Sequence, residues 1–256
     1  MRRGLRYVLA FAAGAALTGA VTFAVASDRL WHTSNSDGTP ISSVRPTGVG
    51  LPLVGAHGTL GAGEYTGALR DYHDSGLYAR DLKRVASRAK VYLRKRVRAM
   101  HRRAAKPAMV LDIDETSVSN YRCLARTDFE NAVAANFACI AANTEPAINP
   151  TLDLYRFARR KHVAVFFITG RPETVPQARE QTATNLRTAG YDKWEQLILA
   201  PDLDVDTIKY KSGQRARIEN QGWHIILNVG DQESDLKGGH ADRAFKLPNP
   251  FYFIGR

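Results

Sequence analysis

The sequence predicts an α/β protein: a parallel sheet with helices on both faces, preceded by a helical segment. Three observations carry that prediction. Beyond Lys106, short continuous apolar runs alternate with helical stretches, the pattern of strands buried on both faces. Several of the runs break off into clusters of acids and hydroxyls. The chain has 256 residues, 44% of them hydrophobic and 24% charged, enough for one globular domain with extensions.

Residues 1–26 carry Arg2, Arg3 and Arg6, then an apolar run from Tyr7 to Ala26 ending in Ala24-Val25-Ala26, the pattern of an export signal. The run also suffices to span a bilayer, which takes about 20 residues. A cleaved signal peptide and an uncleaved membrane anchor are both open. Either places the remaining chain outside the cytoplasm, secreted or membrane-anchored. No cysteine lies near Ala26, which argues against a lipid anchor. Residues 27–64 are rich in Ser, Thr, Gly and Pro and read as a linker, leaving 65–256 as the domain.

From Tyr65 to about Ala105 the spacing predicts helix, with Tyr78, Leu82, Val85, Ala89, Leu93, Val97 and Met100 as the buried stripe. Arg80, Lys83, Arg84, Arg88, Lys90, Arg94 and Arg98 fall on the other face. A solvated face is the simpler reading; attraction to anionic lipid, cell-wall polymer or nucleic acid is the sharper one. No aromatics interleave these charges to stack on bases, so no nucleic-acid partner is expected.

The strands follow as 108–111, 163–168, 196–200, 224–229 and 244–247. The helices between them are 151–161, with Thr151 as cap, 173–189 ending at Gly190, and 212–221 ending at Gly222. The two cysteines, Cys123 and Cys139, suit a disulfide in an exported protein, and two buried thiols are the alternative.

Asp112-Ile113-Asp114-Glu115-Thr116 follows the first strand, Thr169-Gly170-Arg171 the second, and Gly230-Asp231 through Asp235 the fourth. In a parallel sheet these carboxyl ends share the edge where α/β proteins bind ligands. Asp112, Asp114, Asp231 and Asp235 should therefore converge. Gathered carboxylates repel one another unless a cation compensates them, and oxygen-only ligands beside a phosphate favour Mg²⁺. The hydroxyls of Thr116 and Thr169, with a lysine, supply what a phosphoryl group needs.

In this order the motifs resemble the haloacid dehalogenase (HAD) superfamily, and more finely its acid phosphatases of the class B/C and plant vegetative-storage type. "DIDET", "FITGRPE", "YKSGQR", "NVGDQESDL", "FKLPNPFY" and the upstream "YHDSGLYARDLKRV" carry the resemblance, over roughly residues 70 to 256. It implies a Rossmann-like, HAD-like fold. It implies a Mg²⁺-dependent acid phosphatase acting on small phosphomonoesters through an aspartyl-phosphate, and the N-terminal pattern makes it an exported one. Asp112 would be the nucleophile, Asp114 the general acid/base, and Thr169 a phosphate ligand. Asp112, Asp231, Asp235 and the Asp114 carbonyl would hold the metal. The "YKS" pattern selects Lys211 over Lys209. Thr116, Gly170 and Arg171 are expected at the substrate, with a structural ion pair as the other reading of Arg171. Residues 117–150 occupy the place of a cap, short enough to leave an open pocket, with Tyr121, Phe129 and Phe137 as its small core or as stacking groups. The alternatives are a phosphotransferase to alcohol acceptors and a non-catalytic surface or storage protein.

Overall fold

The computed structural model describes residues 62–100, 106–130 and 132–254. The expected signal or anchor at 1–26 and all but the end of the expected linker lie outside the described residues. No described helix is long and apolar enough to cross a membrane.

Five parallel strands form one sheet in the order β3-β2-β1-β4-β5: β1 Lys106–Leu111, β2 Ala164–Pro172, β3 Gln196–Ala200, β4 Trp223–Gly230 and β5 Ala244–Lys246. The expected α/β architecture is the one observed. The chain order reverses at β1, which pairs with β2 on one side and β4 on the other, so the switch-point crevice opens beside Asp112. Strand pleating divides the core into two layers. Met109, Leu111, Val165, Phe167, Leu227 and Val229 join the larger cluster with the N-terminal helices and the insert. Ala108, Val110, Ala164, Phe166, Ile168 and Ile225 face the other side, with Tyr210 and Ile218.

The helical N-terminus is two helices, where the stripe predicted one. Helix α1 spans Ala62–Asp74, so it begins inside the stretch read as linker, and α2 spans Leu77–Met100. Gly76 separates them at φ +79°, a conformation that costs glycine least, and its N–H closes on the His73 carbonyl at 3.1 Å. The "HDSG" string is a legible stop signal that the longer periodicity overrode. The predicted stripe of α2 is buried throughout. Its basic residues are exposed except two that are half-buried: Lys90, with its ammonium 5.6 Å from the Phe157 ring centroid, and Arg96, paired with Asp242 at 2.6 Å.

Three later helices start elsewhere than expected. Helix α5, Asn149–Arg160, is initiated by Pro150, whose fixed φ suits a first helical position; Thr151 is buried in the first turn and caps nothing. Helix α6, Ala178–Thr188, begins only after Pro176, which disfavours helix at the residue before it. Helix α7, Thr207–Asn220, begins five residues early because the Asp206 carboxylate accepts from the Lys209 N–H at 3.0 Å.

The insert carries α3, Tyr121–Arg126, and α4, Ala132–Ala142, joined by a Cys123–Cys139 disulfide. Its base is closed by an antiparallel bridge between Val118 and Ala147. Tyr121 and Phe129 are buried with Phe251 and Tyr78 in an aromatic cluster, onto which His73 stacks against Tyr121 at 3.4 Å, so these rings pack. A Cys123→Ala/Cys139→Ala variant should lose about 3 kcal/mol of stability, read as a shifted denaturation midpoint. Adding reductant should destabilise the wild type and leave the variant unmoved.

Candidate active site

The register sets Leu111 level with Phe167 and with Val229, so the turns after β1, β2 and β4 emerge together. The Asp112 N–H donates to the Val229 carbonyl at 3.0 Å, tying the first turn to the end of β4. Gly230 permits the approach from the other side: a Cβ there would lie 2.3 Å from the Asp235 Cβ. Asp235 opens the short helix α8, Glu233–Leu236, through a capping box in which its Oδ2 accepts from the Gln232 N–H at 2.8 Å.

Asp112, Asp231 and Asp235 are all buried, and each offers an oxygen within 4.8 Å of the other two. Lys211, in the second turn of α7, bridges two of them, 2.7 Å from Asp112 Oδ1 and 2.5 Å from Asp235 Oδ1. Lys209 instead pairs at the surface with Asp206. Among the described residues Asp112 Oδ2 has no hydrogen-bond partner. Asp231 is held by three donors: Thr116 Oγ1 at 2.9 Å to Oδ1, and Gln232 Nε2 and Asn249 Nδ2, each 2.7 Å from Oδ2. The expected substrate hydroxyl of Thr116 thus orients an acid of the cluster.

Burial, reinforced by the charge of Asp235, pushes the Asp112 and Asp231 carboxyls above their usual range. Burial alone would lower Lys211, but its two carboxylate partners raise it, so it stays charged. The donor set fits a hard divalent cation: oxygen ligands only, mutually repelling, and out of water's reach.

Asp114 stands apart from that trio. Arg171 grips it with both arms of its fork, Nε to Oδ2 at 3.0 Å and Nη2 to Oδ1 at 2.8 Å, and Asn120 Nδ2 adds a bond to Oδ1 at 2.7 Å. Burial raises the Asp114 carboxyl, but Arg171 and Asn120 override it and leave it below the ordinary range. The Asp114 carbonyl lies 3.4 Å from the Tyr252 hydroxyl. Arg171 also reaches Glu145 Oε1 at 2.5 Å, Asn185 Oδ1 at 2.9 Å and the Thr182 hydroxyl at 3.4 Å. Its five N–H groups therefore meet five protein acceptors, the ion-pair reading of this residue, with no donor left over. Thr169 is buried and its hydroxyl accepts from the Arg171 N–H at 3.1 Å, which leaves its own proton to donate. Gly170 is exposed, with open space where a Cβ would stand.

Five supporting residues escaped the sequence reading: Glu115, Asn120, Glu145, Gln232 and Asn249. Glu115 adopts φ +52° and is wholly buried, accepting from the Tyr78 hydroxyl at 2.7 Å and the Asn120 N–H at 2.5 Å. Burial raises its carboxyl to about 8. Gln232 and Asn249 lie inside the "NVGDQESDL" and "FKLPNPFY" strings, so their neighbourhood was marked, though not their task.

A parallel sheet that gathers an Asp-x-Asp turn, a Thr-Gly-Arg turn, a helix lysine and a Gly-Asp-x-x-x-Asp turn at one edge defines an α/β protein of HAD type. Residues 61–255 match the family described as "HAD superfamily, subfamily IIIB (Acid phosphatase)", and the chain belongs to that family. Among curated proteins it is similar to "Acid phosphatase 1" of Solanum lycopersicum, 38% identical over 151 residues, covering 57% of this chain and 58% of the relative. It is similar to "Stem 28 kDa glycoprotein" of Glycine max, 40% identical over 114 residues, 43% and 44% of the two chains. "Vegetative storage protein 1" of Arabidopsis thaliana is 31% identical over 150 residues, 57% and 54%. The matched stretches span about half the length of these relatives. The fold also superposes on the class C acid phosphatase from Bacillus anthracis with a TM-score of 0.58 at 20% identity, over 75% of this chain and 86% of that one.

Glu145 yields a pH prediction. Burial, only partly offset by Arg171, raises its carboxyl from 4.5 to about 7. An acid raised on folding favours the folded state below its unfolded value, and that advantage fades as pH rises through the folded one. Wild-type stability should therefore fall, relative to Glu145→Gln, between pH 4.5 and about 7, by on the order of 3 kcal/mol. Parallel denaturation curves for the two proteins across that window would refute the assignment.

Proposed function

We propose that this chain is an exported acid phosphatase that hydrolyses small phosphomonoesters through an aspartyl-phosphate on Asp112, with Mg²⁺ as its metal. The observation that carries the reading is the lysine-bridged cluster: a carboxylate with one oxygen fixed by Lys211 and the other without a partner among the described residues, beside two further buried acids at the switch point.

Asp112, Asp231 and Asp235 would hold the cation, with the Asp114 carbonyl as a further ligand; when bound, it neutralises phosphate charge and keeps Asp112 ionised. Asp112 Oδ2 attacks phosphorus, forming the Asp112–phosphoryl bond as the ester oxygen departs. Asp114 donates a proton to that oxygen; Arg171 and Asn120 keep its carboxyl below the ordinary range, so this step is favoured at acidic pH, where the carboxyl is protonated. Asp114 then takes a proton from water as the water attacks phosphorus, releasing phosphate and restoring Asp112. Thr169 donates its hydroxyl proton to a phosphoryl oxygen, and Lys211 offsets the charge that builds there. Thr116, Gln232 and Asn249 keep Asp231 oriented.

Export is supported by the N-terminal pattern, by the disulfide, and by the relative named as a stem glycoprotein. The relatives named as storage proteins favour a second reading, a protein that keeps the fold without turnover. The intact Asp112 and Asp114 argue against it.

Release of phosphate from an aryl phosphate, tested with and without chelator, separates the two readings. Turnover should vanish in chelator and return with Mg²⁺; undiminished turnover in chelator would remove the metal from the reading. Asp112→Asn should lower kcat by about 10³-fold or more, the cost of removing a catalytic nucleophile, with the melting temperature largely kept. Near-normal activity of that variant would end the nucleophile assignment. Added alcohol acceptor measures how much phosphoryl group goes to transfer.

A further inference from the structure

The insert meets the Asp114 carboxylate at two places, and one of them works only through Arg171. Asn120 touches Asp114 directly. Glu145, on the returning leg of the insert, touches Arg171 Nη2, the same nitrogen that holds Asp114 Oδ1. That leg is locked beside the Asp114 turn: Ser119 N–H donates to the Pro146 carbonyl and Ile148 N–H to the Ser117 carbonyl, both at 2.9 Å, on either side of the Val118–Ala147 bridge. The Glu145 side chain is entirely buried, and its Oε2 has no partner among the described residues. A carboxylate taken out of water at such cost is kept for what its other oxygen does. That oxygen holds a guanidinium. The opposite end of the guanidinium is fixed by Asn185, whose amide in turn donates to Asn143 Oδ1 at 2.8 Å and to the Ile140 carbonyl at 3.2 Å, at the end of α4.

We propose that Glu145 is a positioning residue for leaving-group protonation: by holding Arg171 it fixes the direction in which the Asp114 carboxyl faces the ester oxygen. This rests on Asp114 being the general acid. It makes the insert a part of the reaction geometry, whatever it does for access to the pocket. In the ester-cleaving step a misplaced acid harms only those esters whose leaving oxygen needs a proton; the later attack by water, with Asp114 as base, is common to all esters and does not enter kcat/KM. A leaving alkoxide needs that proton, whereas a nitrophenolate departs without it.

The test is kcat and KM of the Mg²⁺-supplied enzyme on an alkyl phosphate and on 4-nitrophenyl phosphate, for wild type, Glu145→Ala, Glu145→Gln and Asp114→Asn. Glu145→Ala should lower kcat/KM on the alkyl ester by about 10- to 100-fold and leave kcat/KM on the aryl ester nearly untouched. Glu145→Gln keeps an acceptor for Nη2 and should restore most of the alkyl activity. The ratio of the two kcat/KM values is read within one preparation, so partial unfolding cancels from it. An unchanged ratio in Glu145→Ala, with both rates kept or both reduced alike, overturns the proposal. Asp114→Asn should show the same selectivity in stronger form. If it does not, the general-acid role itself falls and takes this proposal with it, while aryl phosphate turnover and its loss in Asp112→Asn still stand for the wider reading.

Discussion

The structure is organised around the cost of keeping three carboxylates at one dry edge of a sheet. Asp112, Asp231 and Asp235 lie within 4.8 Å of one another and out of solvent. Left alone, such a group would take up protons or force the edge apart. Lys211 supplies one compensating charge, and α7 begins early enough to place that lysine in its second turn. Arg215, one helical turn further on, donates to the Asp235 carbonyl at 2.6 Å and fastens α7 to α8. Much of the polar interior on this side of the sheet follows from that one requirement.

The second acid site solves the opposite problem. Asp114 is buried too, but its partner is a guanidinium and its neighbours are amides. Two acids one residue apart in a turn are thus given different protonation tendencies, Asp112 raised and Asp114 lowered, by what faces them.

Architecture and the main acids were legible in the sequence because both rest on local patterns: apolar runs of strand length, and acids placed just past their ends. Helix starts were less legible. Pro150 and Pro176 shifted two of them and Asp206 a third, each by a short-range effect weaker than the periodicity being followed. The supporting shell was hidden for another reason. Thr116 and Asp231 are 115 residues apart, and Glu145 and Arg171 are 26 apart, so nothing in either neighbourhood announces the pairing. An acid such as Glu145, in a stretch of no obvious pattern, gains its meaning only from folding.

Strand β5 closes the sheet with only three residues, Ala244–Lys246, and its lysine turns inward to donate to the Asp231 carbonyl at 2.8 Å. A margin this brief offers a neighbouring molecule hardly any unpaired backbone on which to extend the ladder. The short strand that carries this anchor to the acid-lined rim therefore also leaves that margin of the sheet little able to join copies of itself.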